Sequence, residues 1–297
     1  MSTQVVVLGA GFGGLELTTR LSTALGDGVG VTLIDQNDSF VFGFAKLDVM
    51  FGRQSLDDVR LFYRDLAAPG VQFRQETVRS IDPVSRTVLT DKNSYAADIL
   101  VVALGADLDP AATPGLVEGG YEFYSPAGAD RARVALAEFA GGDIVIGVLG
   151  GFFKCPPAPN ETAFLLDEYL TQRGVREQTT IHLVTPMPLP IPISQDTSAA
   201  IVDLLNERNI QYHPASRVTR LDPDAHAVHL ADGGTVPCDL LLGIPVHCVP
   251  PVVVESGLTD DGWISVDTSR FATRFEDVYA IGDVTSAPVP RAGSIAE

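Results

Sequence analysis

The 297-residue chain is 45% hydrophobic, with 28 glycines and 20 prolines, enough to bury one large core or two medium ones and ordinary for a globular α/β protein. A formal net charge of -18 and a pI near 4.5 argue against nonspecific attraction to nucleic acid or to an anionic membrane face, both of which would repel it. Three cysteines, at positions 155, 238 and 248, cannot all pair within one chain and form no Cys-x-x-Cys metal or redox motif, which fits a reducing compartment.

The opening "MSTQVVVLGAG" has no basic region ahead of its apolar run, and the run breaks at a glycine, so neither a signal peptide nor a membrane span is expected and the chain reads as soluble and cytoplasmic. "QVVVLGAGFGGLELTTRLSTAL" predicts a short buried strand, a glycine turn and a helix whose apolar residues Leu15, Leu21 and Leu25 recur at near-helical spacing. The turn is Gly9-x-Gly11-x-x-Gly14. Glycine permits the tight turn at the first position, lets backbone approach a pyrophosphate at the second, and lets helix and strand pack closely at the third. The phosphates would meet the helix N-terminus, with its unspent N–H groups and partial positive charge. "VGVTLIDQ" supplies a second strand ending at Asp35, 26 positions beyond Gly9, where a carboxylate accepts hydrogen bonds from an adenosine ribose.

Further along, Gly70 to Ala106 and Asn209 to Val246 share one pattern: a β-like opening, a hydrophobic strand into Asp-Pro, a turn, an alternating strand, a polar turn, and an apolar strand entered through an aspartate, Asp98 or Asp239. Asp82 and Asp222 occupy the same place in the two copies. Upstream of each copy lie a strand, a glycine turn, a helix and another strand. The internal similarity predicts an α/β protein of two Rossmann-like FAD/NAD(P)-binding domains, each with a parallel sheet and an antiparallel three-stranded appendage.

The second glycine turn departs from the first. "DIVIGVL" runs into "GGFFKCPPAPNE", which lacks the G-x-G-x-x-G spacing, and Phe152, Phe153, Pro156 and Pro157 would crowd a pyrophosphate. A second dinucleotide is therefore disfavoured there. What remains is Cys155 beside Lys154 near a helix start, surroundings that lower a thiol's pKa and make it nucleophilic. The bland alternative is a small buried hydrophobe, the usual role of such a cysteine, and the flanking prolines and lysine fit it poorly. Cys238 and Cys248 bracket the apolar strand "DLLLGIPV" and read as core or rim residues. The five histidines lack ligand spacing, and no metal site is expected.

The closing segment, Trp263 to Glu297, contains "VYAIGD". Together with Gly9-x-Gly11-x-x-Gly14 and the turn Ala103-Leu104-Gly105, it resembles the three FAD signatures of the two-dinucleotide-domain flavoproteins, the flavoprotein disulfide reductase superfamily. The resemblance implies that Asp283, after Gly282, binds the ribityl chain and that Asp35 binds the adenosine ribose, with Phe12, Gly13, Gln36 and Val78 in the same cofactor site. It also implies a discontinuous FAD domain, 1–108 and 249–297, around a second domain at 109–248 that carries the cysteine. Within the superfamily, "FKCPPAPNE" is similar to the sulfide:quinone oxidoreductase and flavocytochrome c sulfide dehydrogenase branch. "PRAG", with Arg291 and Gly293, is similar to that branch's Pro-Lys-Ala-Gly, arginine replacing lysine.

What this branch implies is sulfide oxidation: sulfide adds to an oxidised sulfur on Cys155, whose thiolate then passes two electrons to the flavin, and a quinone or a haem protein takes them up. Lys154 would stabilise the thiolate. Glu161 would carry a proton or bond the flavin edge, or else is simply an acid favoured at a helix start. The branch pairs the cysteine with a second one beyond Glu297, so truncation is expected, "AGSIAE" reading as an unfinished helix. A peripheral contact with the inner face of a membrane, through a segment outside this chain, and a homodimer are compatible with the same resemblance. Two alternatives stand beside it: a type II NADH dehydrogenase or ferredoxin-reductase-like enzyme, and a flavin-binding electron-transfer protein without turnover.

Overall fold

The computed structural model describes residues 2–66 and 69–293, which fall into two compact units, 1–40, 60–107 and 248–297 in one and 41–59 and 108–247 in the other. The helical start expected over 292–297 lies, past Gly293, outside the described residues.

The first unit is built on β1 (Thr3–Leu8), α1 (Phe12–Leu25), β2 (Val29–Asp35) and β3 (Val71–Gln75), followed by an antiparallel trio, β4 (Val78–Asp82), β5 (Thr87–Thr90) and β6 (Ser94–Ala96), and by β7 (Ile99–Val102). Its five-stranded sheet is parallel throughout, in the order Val278–Ala280, β7, β1, β2, β3. Val5, Val7, Val31 and Leu33 face one buried layer, and Val6, Leu8, Ile34, Leu100 and Val102 the other, as expected of parallel strands covered on both faces. Along α1 the buried residues are Gly13, Gly14, Thr18 and Ser22, while Leu15 and Leu21 are partly buried and Leu25 is 56% exposed. The expected leucine stripe thus stops short of Leu25. Small residues face the sheet instead, because the glycine turn draws the helix too close for large ones.

The second unit repeats the plan with α2 (Ala45–Met50), β8 (Tyr121–Glu122), α3 (Pro126–Glu138), β9 (Gly142–Val148), α4 (Ala158–Gln172), β10 (Thr179–Val184), α5 (Gln195–Glu207), β11 (Ile210–His213), the antiparallel trio β12 (Val218–Asp222), β13 (Ala227–Leu230) and β14 (Thr235–Pro237), and β15 (Leu240–Ile244). Its parallel sheet runs β8, β15, β9, β10, β11.

The duplication extends to detail. Asp98 accepts a hydrogen bond from the Gln4 N–H at 2.8 Å and returns its own N–H to the Gln4 carbonyl; Asp239 does the same with Asp143, at 2.9 Å. Both antiparallel trios carry a register irregularity at matching places, between Val78 and Ser80 and between Val218 and Arg220.

The units differ from the limits read in the sequence chiefly at 41–59, which belongs to the second unit, and by one residue at Leu108 and at Cys248. Leu47, Val49, Met50 and Phe51 of this excursion are buried in one cluster with Phe123, Tyr124 and Ala129, and α2 packs on α3. Those apolar residues had no local partner to declare their destination.

Candidate functional site

In the first unit the three turn glycines hold three different positions. An ideal Cβ on Gly9, whose φ is +99°, would lie 2.3 Å from the Ala103 carbonyl oxygen, and one on Gly14 would lie 1.9 Å from the Gly9 carbonyl oxygen. Gly11 has no neighbour within 4 Å of its ideal Cβ. Two glycines therefore lock the turn against the strands, and the third leaves backbone open. Gly11 caps α1 with no side chain on the cap and no acid in the first turn, so the helix start presents its positive end without an acidic neighbour, as an anion site does.

Asp35 ends β2 and ties this turn down. One carboxylate oxygen accepts the Ala10 N–H at 2.8 Å, and the other accepts the backbone and side-chain amides of Asn37 at 2.8 and 2.9 Å. A carboxylate has about four acceptor positions, so one is left for a hydroxyl. Tyr63 donates its hydroxyl to the Ala10 carbonyl at 2.8 Å, a clamp with no sequence motif. Gln36 follows, exposed, and accepts a long hydrogen bond from Gln75 on its carbonyl.

Ala103, Leu104 and Gly105 leave the end of β7, with Ala103 bonded through its N–H to the Leu8 carbonyl at 2.7 Å. Gly282 and Asp283 leave the end of the neighbouring strand, and with Phe271, Thr285 and Arg291 they line a recess. Arg291 donates to the backbone carbonyls of Asp283 and Thr285, and its guanidinium lies 3.7 Å from the centre of the Trp263 ring. Burial holds its pKa below the ordinary arginine value, with Asp283 opposing. Gly293 lies against Phe12, which packs edge-on to Phe40 at 4.9 Å. Gly13 is buried in α1, and Val78 sits half-buried at the start of β4. An open glycine at a helix start, an acid ending β2 and a closing glycine-aspartate turn fit FAD.

The second unit's turn is built differently. Pro157 caps α4, and Pro156, Pro157 and Pro159 have no N–H to offer; the Ala158 and Glu161 N–H groups are already given to the Cys155 and Pro157 carbonyls. This helix start is a poor anion site. Phe153 is buried, but Phe152 is 72% exposed, so only one of the two phenylalanines fills the turn as the sequence led us to expect. Cys155 is half-buried at φ +61°, in the left-handed region that only a few of the chain's non-glycine residues adopt. The Lys154 carbonyl accepts the Tyr124 hydroxyl at 3.0 Å, and the Lys154 N–H approaches His247 Nε2 at 3.4 Å. His247 Nδ1 lies 2.8 Å from the Pro245 carbonyl, which requires the proton on Nδ1 and leaves Nε2 as acceptor. Glu161 is exposed in the first turn of α4.

Residues 3–296 match the pyridine nucleotide-disulphide oxidoreductase family. The chain belongs to that family. It is an FAD-dependent oxidoreductase. Among its relatives, mitochondrial sulfide:quinone oxidoreductase of Mus musculus is 23% identical over 303 residues, covering 97% of this chain and 67% of that protein. Demethylphylloquinone reductase of Synechocystis is 32% identical over 298 residues, covering 94% of this chain and 71% of that protein. The crystal structure of sulfide:quinone oxidoreductase from Aquifex aeolicus superposes with a TM-score of 0.89 at 24% identity, over 99% of this chain and 74% of that one, a likeness of fold.

In this family member the residue that sequence reasoning passed over is Lys46, on α2. It is half-buried, its ammonium donates to the Tyr124 carbonyl, and it lies 5.8 Å from the centre of the Tyr124 ring. Burial above all, with Lys154 beside it, lowers its pKa to about 8, while Glu122 and Cys155 pull the other way. Its one sequence signal was a lone cation within the apolar run "FVFGFAKLDVMF". Cys238 is buried, and burial pushes its thiol up to about 12. Among the described residues no cluster of histidine, cysteine, aspartate or glutamate could hold a metal ion.

Proposed function

We propose that this flavoenzyme oxidises sulfide through Cys155 and passes the electrons to a quinone or haem acceptor. The observation that carries the reading is the left-handed backbone of Cys155 at a turn whose prolines have removed the donors a phosphate would need. The bound flavin supplies a two-electron acceptor. The chain's own part is to hold the sulfur on a rigid turn, through Tyr124 and His247 on the Lys154 backbone, and to keep cations beside it. The similarity to sulfide:quinone oxidoreductases across 97% of this chain supports the same substrate.

A second reading, reduction of the flavin by NAD(P)H ahead of a quinone, is favoured by the 32% identity to demethylphylloquinone reductase and by Gly151, which like Gly11 has open space around its ideal Cβ. Anaerobic mixing of the flavin-loaded protein with each reductant separates the two. Rapid loss of the flavin's visible absorbance with sulfide, and none with micromolar NADH, is expected; rapid bleaching by NADH with inertness to sulfide would reverse the order.

A further inference from the structure

The chain contains three lysines, and two of them, Lys46 and Lys154, feel each other's charge, while Cys155 acts on Lys46 in the opposite sense. A net acidic protein that places a half-buried cation on a helix among apolar residues has weakened the screening of that charge by water. Lys46 sits on α2, the excursion whose apolar neighbours Leu47, Val49 and Met50 anchor it among Phe123 and Tyr124. Its ammonium donates to the Tyr124 carbonyl, and the same tyrosine's hydroxyl donates to the Lys154 carbonyl, one residue before the sulfur. One residue, through its backbone carbonyl and its hydroxyl, thus links the position of the cation to the backbone beside the cysteine.

We propose that Lys46 is a positioning residue that holds Cys155 as a thiolate, acting through charge on the sulfur, a role that presupposes the reading of Cys155 as the redox sulfur. Coupling of this kind is reciprocal. A thiolate that makes the ammonium easier to keep is itself made easier to form by that ammonium. Several other groups surround the pair. Lys154 adds a second cation. Tyr124 is fully enclosed, and burial first and Cys155 second raise its pKa, so it stays a neutral phenol. Glu122, the acid of the group, is already held by the Tyr124 and Ser125 N–H groups at 2.9 Å, by the Ser125 hydroxyl, and by Arg131 of α3 at 3.4 Å. It helps keep Lys46 charged while having its own lone pairs committed. His247 turns its Nδ1 to the Pro245 carbonyl at 2.8 Å.

The test is the pH dependence of iodoacetamide alkylation at Cys155, followed by mass spectrometry of the peptide that begins there, in the flavin-loaded wild type, Lys46→Met and Lys46→Arg. Methionine keeps the length and loses the charge; arginine keeps a permanent charge. The expected result is an apparent thiol pKa about one unit higher in Lys46→Met, seen as about a tenfold slower reaction below both values, with Lys46→Arg restoring the wild-type profile. Coincident wild-type and Lys46→Met profiles would overturn the role of Lys46, even with sulfide oxidation intact. Failure of the parent reading looks different: sulfide would reduce the flavin without Cys155, while the alkylation profiles would still separate.

Discussion

Gly11 and Gly14 are two residues of one motif, yet a side chain would meet open space at the first and the Gly9 carbonyl at 1.9 Å at the second. Gly11→Val is therefore expected to leave the denaturation midpoint of the flavin-free protein within experimental error and to abolish retention of FAD on a desalting column. Gly14→Ala is expected to destabilise the protein by about 1 to 3 kcal/mol in urea, since neither backbone can yield cheaply. Cysteine reactivity divides the same way. Cys238, pushed up to about 12 by burial, should resist iodoacetamide at pH 8 in the folded protein, while Cys155 is alkylated, as peptide mapping would report. Lys46 adds a pH signature to stability. Its folded pKa of about 8 lies below the ordinary lysine value of 10.5, so the unfolded chain binds the extra proton between those values. The penalty, at most about 3 kcal/mol, is fully present below pH 8 and is lost as pH rises towards 10.5. Relative to Lys46→Met, the wild type should gain stability between pH 7 and pH 10, read from urea midpoints. At this scale the glycines, Asp35 and the singular turn at Cys155 were legible because each breaks a local rule. Tyr63, Tyr124 and Lys46 were not, because their partners are carbonyls and rings far along the chain, which no local pattern encodes.

Each half of the molecule secures its central strand with the same aspartate clasp, and the second half shows how tightly. Gly142, at φ +118°, presents an ideal Cβ 2.2 Å from the Asp239 carboxylate that holds the Asp143 N–H. Gly142→Ala combines a strained backbone with displacement of that carboxylate, and about 2 to 4 kcal/mol of destabilisation is expected in thermal or urea unfolding. The duplication was readable because strand, turn and aspartate recur in order, and the structure reproduces even the paired register shifts. What sequence could not show was the allegiance of α2. Six residues give too little periodicity to define a face, and its burial comes from Phe123 and Tyr124, more than seventy positions away. The leucine face of α1 misled for a related reason: the close approach set by Gly14 favours threonine and serine at the interface, and Leu25 is left outside.

The whole chain is two parallel-sheet units with one ancestry of pattern and two chemistries at the corresponding turn. One keeps an open glycine at a helix start; the other has prolines, a cysteine in the left-handed region and Lys154. The net charge of -18 makes the cationic surroundings of Cys155 a local construction rather than a property of the molecule. Among the described residues no helix is long and apolar enough to cross a membrane. The measurement that bears most directly on the central claim is anaerobic stopped-flow reduction of the bound flavin by sulfide in the wild type and in Cys155→Ser. Bleaching in the wild type and a loss of at least about a hundredfold in rate in the variant, with FAD still bound, are predicted. Equal rates in the two proteins would contradict the assignment of sulfur chemistry to Cys155.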